Sequence, residues 1–257
     1  MSSILGITRN EIPESIDVSR AHEPGVEIVC NIPRVVKMLV CIVMTLVIVG
    51  TFASIITFQV APSPNHRLAR LMHRFDLGFE PSIPNWYSSC ALLASSILLA
   101  IIALAKVRTH DRFGKHWAFL AVLFLGLSID EGVRIHEMIH TVLVKFIDSH
   151  GIFYYPWVVP ALIFVAVVGA TYLPFLKHVD RRTAVLFIVA GGIYVFGTVG
   201  MDMVGGVIVE KHGYESIQHT MGQTVEEMCE MMGIVVFLYA LLDYIRRFVG
   251  PIRLSVV

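Results

Sequence analysis

His136-Glu137-Met138-Ile139-His140 sets two histidines four residues apart, with a glutamate directly after the first. On a helix, histidines at this spacing share a face and can both ligate Zn²⁺, while the glutamate activates a metal-bound water. Three fixed positions in five recur by chance, so the surroundings must give the pattern its weight. Asp130, Glu131 and Arg134 precede it; Asp202, His219, Glu226, Glu227 and Glu230 follow in later segments.

Two metal-dependent chemistries are open to this set. In a hydrolytic form, His136 and His140 bind zinc with Asp202 or Glu226 as third ligand, and Glu137 serves as general base. In an oxidative form, Glu131, Glu137, His140, Glu226 and Glu230 hold two irons. Seven carboxylates against three histidines suit hard, oxygen-preferring metals. Hydrolysis or a related transformation of a lipid or membrane peptide leads, with Asp130, Arg134 and Glu227 in supporting places around the ligands.

The elements that carry these residues are membrane helices. The chain has 257 residues, 56% hydrophobic and only 16% charged, with a mean hydropathy of +0.72. Soluble domains carry about a quarter charged residues, so the deficit points to lipid as solvent. Net charge is zero, which excludes a basic field for nucleic acid. Cys30, Cys41, Cys90 and Cys229 show no Cys-x-x-Cys spacing, so neither a disulfide framework nor a zinc finger is legible.

A spanning helix needs about 20 apolar residues. Val36–Val60, Ser88–Val107 and Trp157–Leu176 satisfy this directly. Trp117–Ile129 meets Asp130-Glu131 after 13 residues, Ala184–Met201 meets Asp202, and Gly233–Leu242 is short. The third and sixth blocks can cross only if their charged turns lie inside the hydrocarbon. The expectation is an all-α, polytopic membrane helix bundle with about six helices (36–60, 88–107, 117–141, 157–177, 183–209 and 218–245), and five if the sixth stays interfacial. Residues 1–34 read as a polar tail rather than a signal peptide, and 249–257 as a second tail.

Lys and Arg of the connecting segments place both termini in the cytoplasm, with the carboxylates in the outer half. The first external loop, with Arg67, Arg70 and Arg74, breaks that rule; its Leu68, Leu71, Met72, Phe75 and Phe79 fit a helix lying flat at the interface. Trp86, Tyr87, Tyr154, Tyr155 and Trp157 fall where interfacial aromatic belts form.

Helical phase puts His219, Gln223, Glu226 and Glu230 on one stripe, with Glu227 at its edge. Glycines around Asp202 read as close-packing positions. Each charge at mid-bilayer costs on the order of 2.5–3.5 kcal/mol, so these groups must face one another, water or a metal. Plainer roles compete: Asp130 with Arg134, and Arg134 with Glu137, as ion pairs; His219 at headgroup level; the nearby methionines as packing.

Leu127-Ser128-Ile129-Asp130-Glu131, then His136-Glu137, then Glu226-Glu227 and Glu230-Met231-Met232-Gly233, resembles a group of bacterial multi-pass membrane proteins of unassigned function. The resemblance implies one site formed by Asp130, Glu131, His136, Glu137, Glu226 and Glu230, and implies no reaction. Intramembrane metalloproteases share His-Glu-x-x-His, but Met203 follows Asp202 where they have glycine. Prenyl-protein proteases have an arginine after their Glu-Glu pair that is missing here. Membrane di-iron oxidases carry two Glu-x-x-His motifs, and this chain has only Glu137-x-x-His140. Two other classes stay open: a proton- or cation-coupled transporter, and a structural subunit whose buried ions set helix register.

Overall fold

The computed structural model describes residues 26–27, 31–59, 67–79, 81–147, 149–250 and 253–254. The tail expected over 1–34 lies mostly outside the described residues. Two short segments form a separate unit, in which Val26–Glu27 (β1) pairs antiparallel with Arg253–Leu254 (β2).

Cys30–Gly250 is all helical among its described residues. Six helices are long and apolar enough to cross a membrane. They are α1 (Ile32–Gln59), α3 (Ile83–Arg108), α4 (Gly114–Val133), α6 (Val158–His178), a continuous span of α7 (Arg181–Val195), a π-helical turn (Phe196–Met201) and α8 (Asp202–His212), and α9 (Ile217–Tyr244) with a second π-turn to Val249. The protein is a multi-pass membrane helix bundle. Two short helices, α2 (Arg67–Met72) and α5 (Ile135–Leu143), lie between spans.

α9 is the hub, with 67% of its apolar window buried against α1, α3 and α7. α6 is the least enclosed span, at 17%. α3 and α4 form a hairpin zipped by small polar residues. Ser89 Oγ donates to Ser128 O and Ser128 Oγ to Ser89 O, both at 2.8 Å, and Ser96 Oγ donates to Ala121 O at 2.7 Å. Small side chains let the two backbones approach, and in lipid their hydroxyls still find acceptors.

The third helix is shorter than the expected 117–141. It stops at Val133, because Arg134 adopts a left-handed conformation (φ 63°, ψ 47°) and its N–H bonds to Asp130 O at 2.6 Å. A non-glycine residue there costs roughly 1–2 kcal/mol. The ion pair of Arg134 with Glu137 helps offset it. Chain direction changes at this point, and α5 starts afresh.

The first loop also departs from expectation. Among its described residues only Arg67–Met72 is helical before α3; the chain then turns inward and buries Leu77 (1% exposed) among Val43, Val47, Met231 and Val235. Asp76 fixes the turn, accepting from Ser54 Oγ at 2.6 Å and from Gly78 N–H at 3.1 Å. Gly50 makes the room, since a Cβ there would lie 2.6 Å from Leu77 Cγ. Burying a leucine among apolar side chains outweighs lying flat.

Candidate functional site

A cavity of about 560 Å³ lies between α4, α6, α7 and α9. α4 contributes Leu120, Leu123, Phe124 and Leu127 at helical spacing, and one turn further on Asp130 and Glu131. Trp157, Asp202, Glu226, Glu227, Glu230 and His136 complete this polar end. The remainder is apolar, and its far end is closed by rings: Phe175 against Trp117 (5.0 Å between centroids), Phe124 stacked on Phe237 (4.4 Å), and Phe187 on Phe237 (4.9 Å). Among the described residues, six carboxylates and one histidine line the cavity, and no lysine or arginine does.

Each acidic residue is held by its own element. Asn85 in the first turn of α3 donates its amide to Glu131 O at 2.7 Å and to Glu131 Oε1 at 3.0 Å. Asp130 accepts from the backbone N–H of His136 at 2.9 Å, and its second oxygen meets His136 Nδ1 at 3.1 Å. Trp157 Nε1 donates to Asp202 Oδ2 at 2.8 Å. Asp202 directly follows the π-turn, the kind of helical irregularity that recurs at functional sites.

Glu230 differs from the rest. It is 8% exposed, and among the described residues no hydrogen bond or ion pair reaches its carboxylate. The charges that act on it most strongly are those of Glu227, Glu131, Glu226 and Asp202, all of its own sign. Its position follows from a helix crossing without side chains in the way. A Cβ on Gly197 would fall 2.9 Å from Glu230 Cγ and 3.0 Å from its backbone nitrogen; one on Gly233 would fall 2.9 Å from the Tyr194 nitrogen. Tyr194 lines the cavity from α7 and shares the electrostatic neighbourhood of Glu230, Glu131, Asp130 and Glu227.

The structure therefore brings together Asp130, Glu131, His136, Asp202, Glu226, Glu227 and Glu230. Glu227, expected beside the others, is a full member of the lining. Glu137, His140 and His219 do not line the cavity. Glu137 is ion-paired to Arg134, with its side chain 46% exposed. His140 leaves the zinc pattern incomplete: its ring lies 5.8 Å from Tyr155, and burial together with His136 holds it below its ordinary value, against the pull of Glu137. His219 sits in the first turn of α9 with its ring 5.6 Å from Tyr214. Among the described residues, no three His, Cys, Asp or Glu side chains converge closely enough to hold a metal ion.

Asn85, Trp157 and Tyr194 are site residues that the sequence reading did not select. Trp157 was assigned to an aromatic belt, and only its distance to Asp202 changes that. Asn85 follows Pro84 in the first turn of α3, with Ser82 as the cap that brings it into the helix; a capping reading could have found it.

The chain belongs to the family described as a domain of unknown function (DUF8692), whose pattern matches residues 39–244. That match reaches into all six spans and takes in the whole acidic end. No curated protein and no solved structure matches the chain.

Proposed function

We propose that the protein is a metal-dependent hydrolase of a membrane lipid, with the lipid's apolar part in the cavity and its polar part at the acidic end. The observation that carries this reading is an apolar intramembrane cavity ending in six carboxylates and a histidine. Like charges crowded in a low-dielectric space gain from positive charge held among them. A divalent ion supplies it, and oxygen ligands are what hard cations select.

Glu131, Asp202, Glu226, Glu227 and Glu230 are the ligand set, drawn together by side-chain rotation from α4, α8 and α9. A bound metal would polarise the scissile group and lower the pKa of a water. His136, held in one orientation by Asp130, would take the proton from that water and return it to the leaving oxygen as the ester or phosphoester bond breaks. Glu137 has no part in the step, because its carboxylate is directed to Arg134. This replaces the zinc pattern by an oxygen-rich centre.

The end opposite the carboxylates carries Lys106, Arg108, Arg112, Lys115, Lys177, Arg181, Arg246 and Arg247, which by the positive-inside rule is cytoplasmic. The acidic end then opens toward the outer leaflet. Against a transport path stands the aromatic closure around Trp117, Phe175 and Phe237.

Incubating the detergent-purified chain with a total membrane lipid extract and Mg²⁺, Mn²⁺, Zn²⁺ or Fe²⁺ tests the proposal. Mass spectrometry should detect hydrolysed lipid with the wild type, and neither with His136→Ala nor after chelation. Turnover that survives chelation overturns it; oxidised lipid in place of hydrolysed lipid assigns the site to two irons and overturns the hydrolytic step.

A further inference from the structure

The lining of the cavity contains glycines that pack against nothing. A Cβ placed on Gly169, Gly191 or Gly192 would meet no atom within 4 Å. Glycine inside a helix is about 1 kcal/mol less favourable than alanine. In membrane helices it usually earns its place by close packing, as Gly197 and Gly233 do here. The other three instead keep α6 and α7 bare where they border the cavity.

The space so kept has definite dimensions. From Glu230 to Phe237 along α9 and from Asp202 to Phe187 along α7 the lining runs about 10–22 Å at 1.5 Å per residue. A cavity of about 560 Å³ falls within the roughly 300–1,000 Å³ of pockets that enclose one drug-sized ligand. One hydrocarbon tail with its polar group is a ligand of that size, and a two-chain phospholipid exceeds it. The aromatic closure fixes which end is blind, so the polar group must stay beside Glu230.

Access is sideways. At the blind end Tyr172 Oη of α6 donates to His116 O of α4 at 2.8 Å, and at the acidic end the Trp157 ring, just before α6, lies 5.5 Å from His136 of α5. Between these contacts α4 and α6 both contribute cavity wall, and α6 is the least buried span of the bundle.

We infer that the occupant is a single-chain amphiphile that enters from the bilayer between α4 and α6 and places its polar group against Glu230. This names the substrate class of the lipid site proposed above and rests on it. Metal content and lipid occupancy are measured on the same preparations, so the two can fail separately.

The test titrates the delipidated, full-length wild type with oleyl alcohol and with dioleoylglycerol, and repeats the titration with Gly191→Leu and Gly192→Leu. Oleyl alcohol should bind, dioleoylglycerol should not, and each leucine should weaken binding at least about tenfold while metal content and melting temperature hold. Equal binding of the two-chain lipid, no binding of either, or undiminished binding by both leucine variants overturns the inference. A metal-free wild type that still binds oleyl alcohol overturns the hydrolase reading and leaves the cavity assignment standing.

Discussion

Asp130 holds His136 at two points, its Oδ1 accepting from the backbone N–H at 2.9 Å and its Oδ2 meeting ring Nδ1 at 3.1 Å. The two residues are six apart and lie on different helices, because the chain turns at Arg134. The carboxylate thus caps the first turn of α5 and orients the ring in one stroke.

Asp130→Ala removes both contacts. A lost cap costs about 1 kcal/mol. Hydrogen exchange of amides 135–139 should accelerate about fivefold, while the amides of α9 keep their rates. Unchanged exchange in α5 would mean that the carboxylate does not hold the turn.

The glycines divide into two kinds with opposite predictions. Gly197→Ala forces a methyl against the backbone of Glu226 and Glu230 and should destabilise by roughly 1–3 kcal/mol. Gly191→Ala meets open space and should stabilise the helix by up to about 1 kcal/mol. Melting temperatures in detergent that move the same way for both would contradict the assignment of crossing and cavity.

At the basic end, Asp243 is 0% exposed and is met by Arg182 Nε at 3.2 Å, Arg246 at 2.8 Å and Arg247 at 2.9 Å. The Asp243 carboxylate is buried, but the Arg182 and Arg246 side chains are 53% and 61% exposed and stay solvated without it. Its loss costs the charged hydrogen bonds, roughly 1–3 kcal/mol. Asp243→Ala should therefore lower the melting temperature by about 5 °C, and a shift within a degree would show that the network is dispensable.

Acid should loosen the same end. Burial opposes the charge of Asp111, but the Phe113 N–H and Lys106 outweigh it; in Asp180 burial is outweighed by Arg247 and Thr183. Both carboxyls are held below their ordinary value of 3.8. Their stabilisation is fully present above that value and is lost as pH falls through the lower, folded one. The melting temperature should stay flat on lowering pH to about 4 and drop below it; for Asp180→Asn the drop should be smaller.

Six spans were legible because length and charge leave few alternatives: Asp130-Glu131 and Glu226–Glu230 had to be inside for the third and sixth helices to cross. That the carboxylates of three separate spans would meet was legible for the same reason, but Glu137, His140 and His219 were grouped with them and line no part of the cavity. The site's inner geometry was not legible. Nothing local marks Arg134 for a left-handed turn, which arginine rarely adopts, so the helical phase carried from Asp130 to His140 was broken unseen. Gln223 shared a stripe with Glu226, yet it packs on Gly78 of the inward loop. The cavity itself was invisible, because a glycine that permits contact and one that leaves a void look alike in sequence.

Elemental analysis of the full chain, purified in detergent without chelator and exposed to Mg²⁺, Mn²⁺, Fe²⁺ and Zn²⁺, tests the central claim most directly. The account predicts about one or two divalent ions per wild-type chain, and a loss of most of them in Glu230→Gln. A folded wild type that holds none, or a Glu230→Gln protein that keeps the full complement, would contradict it.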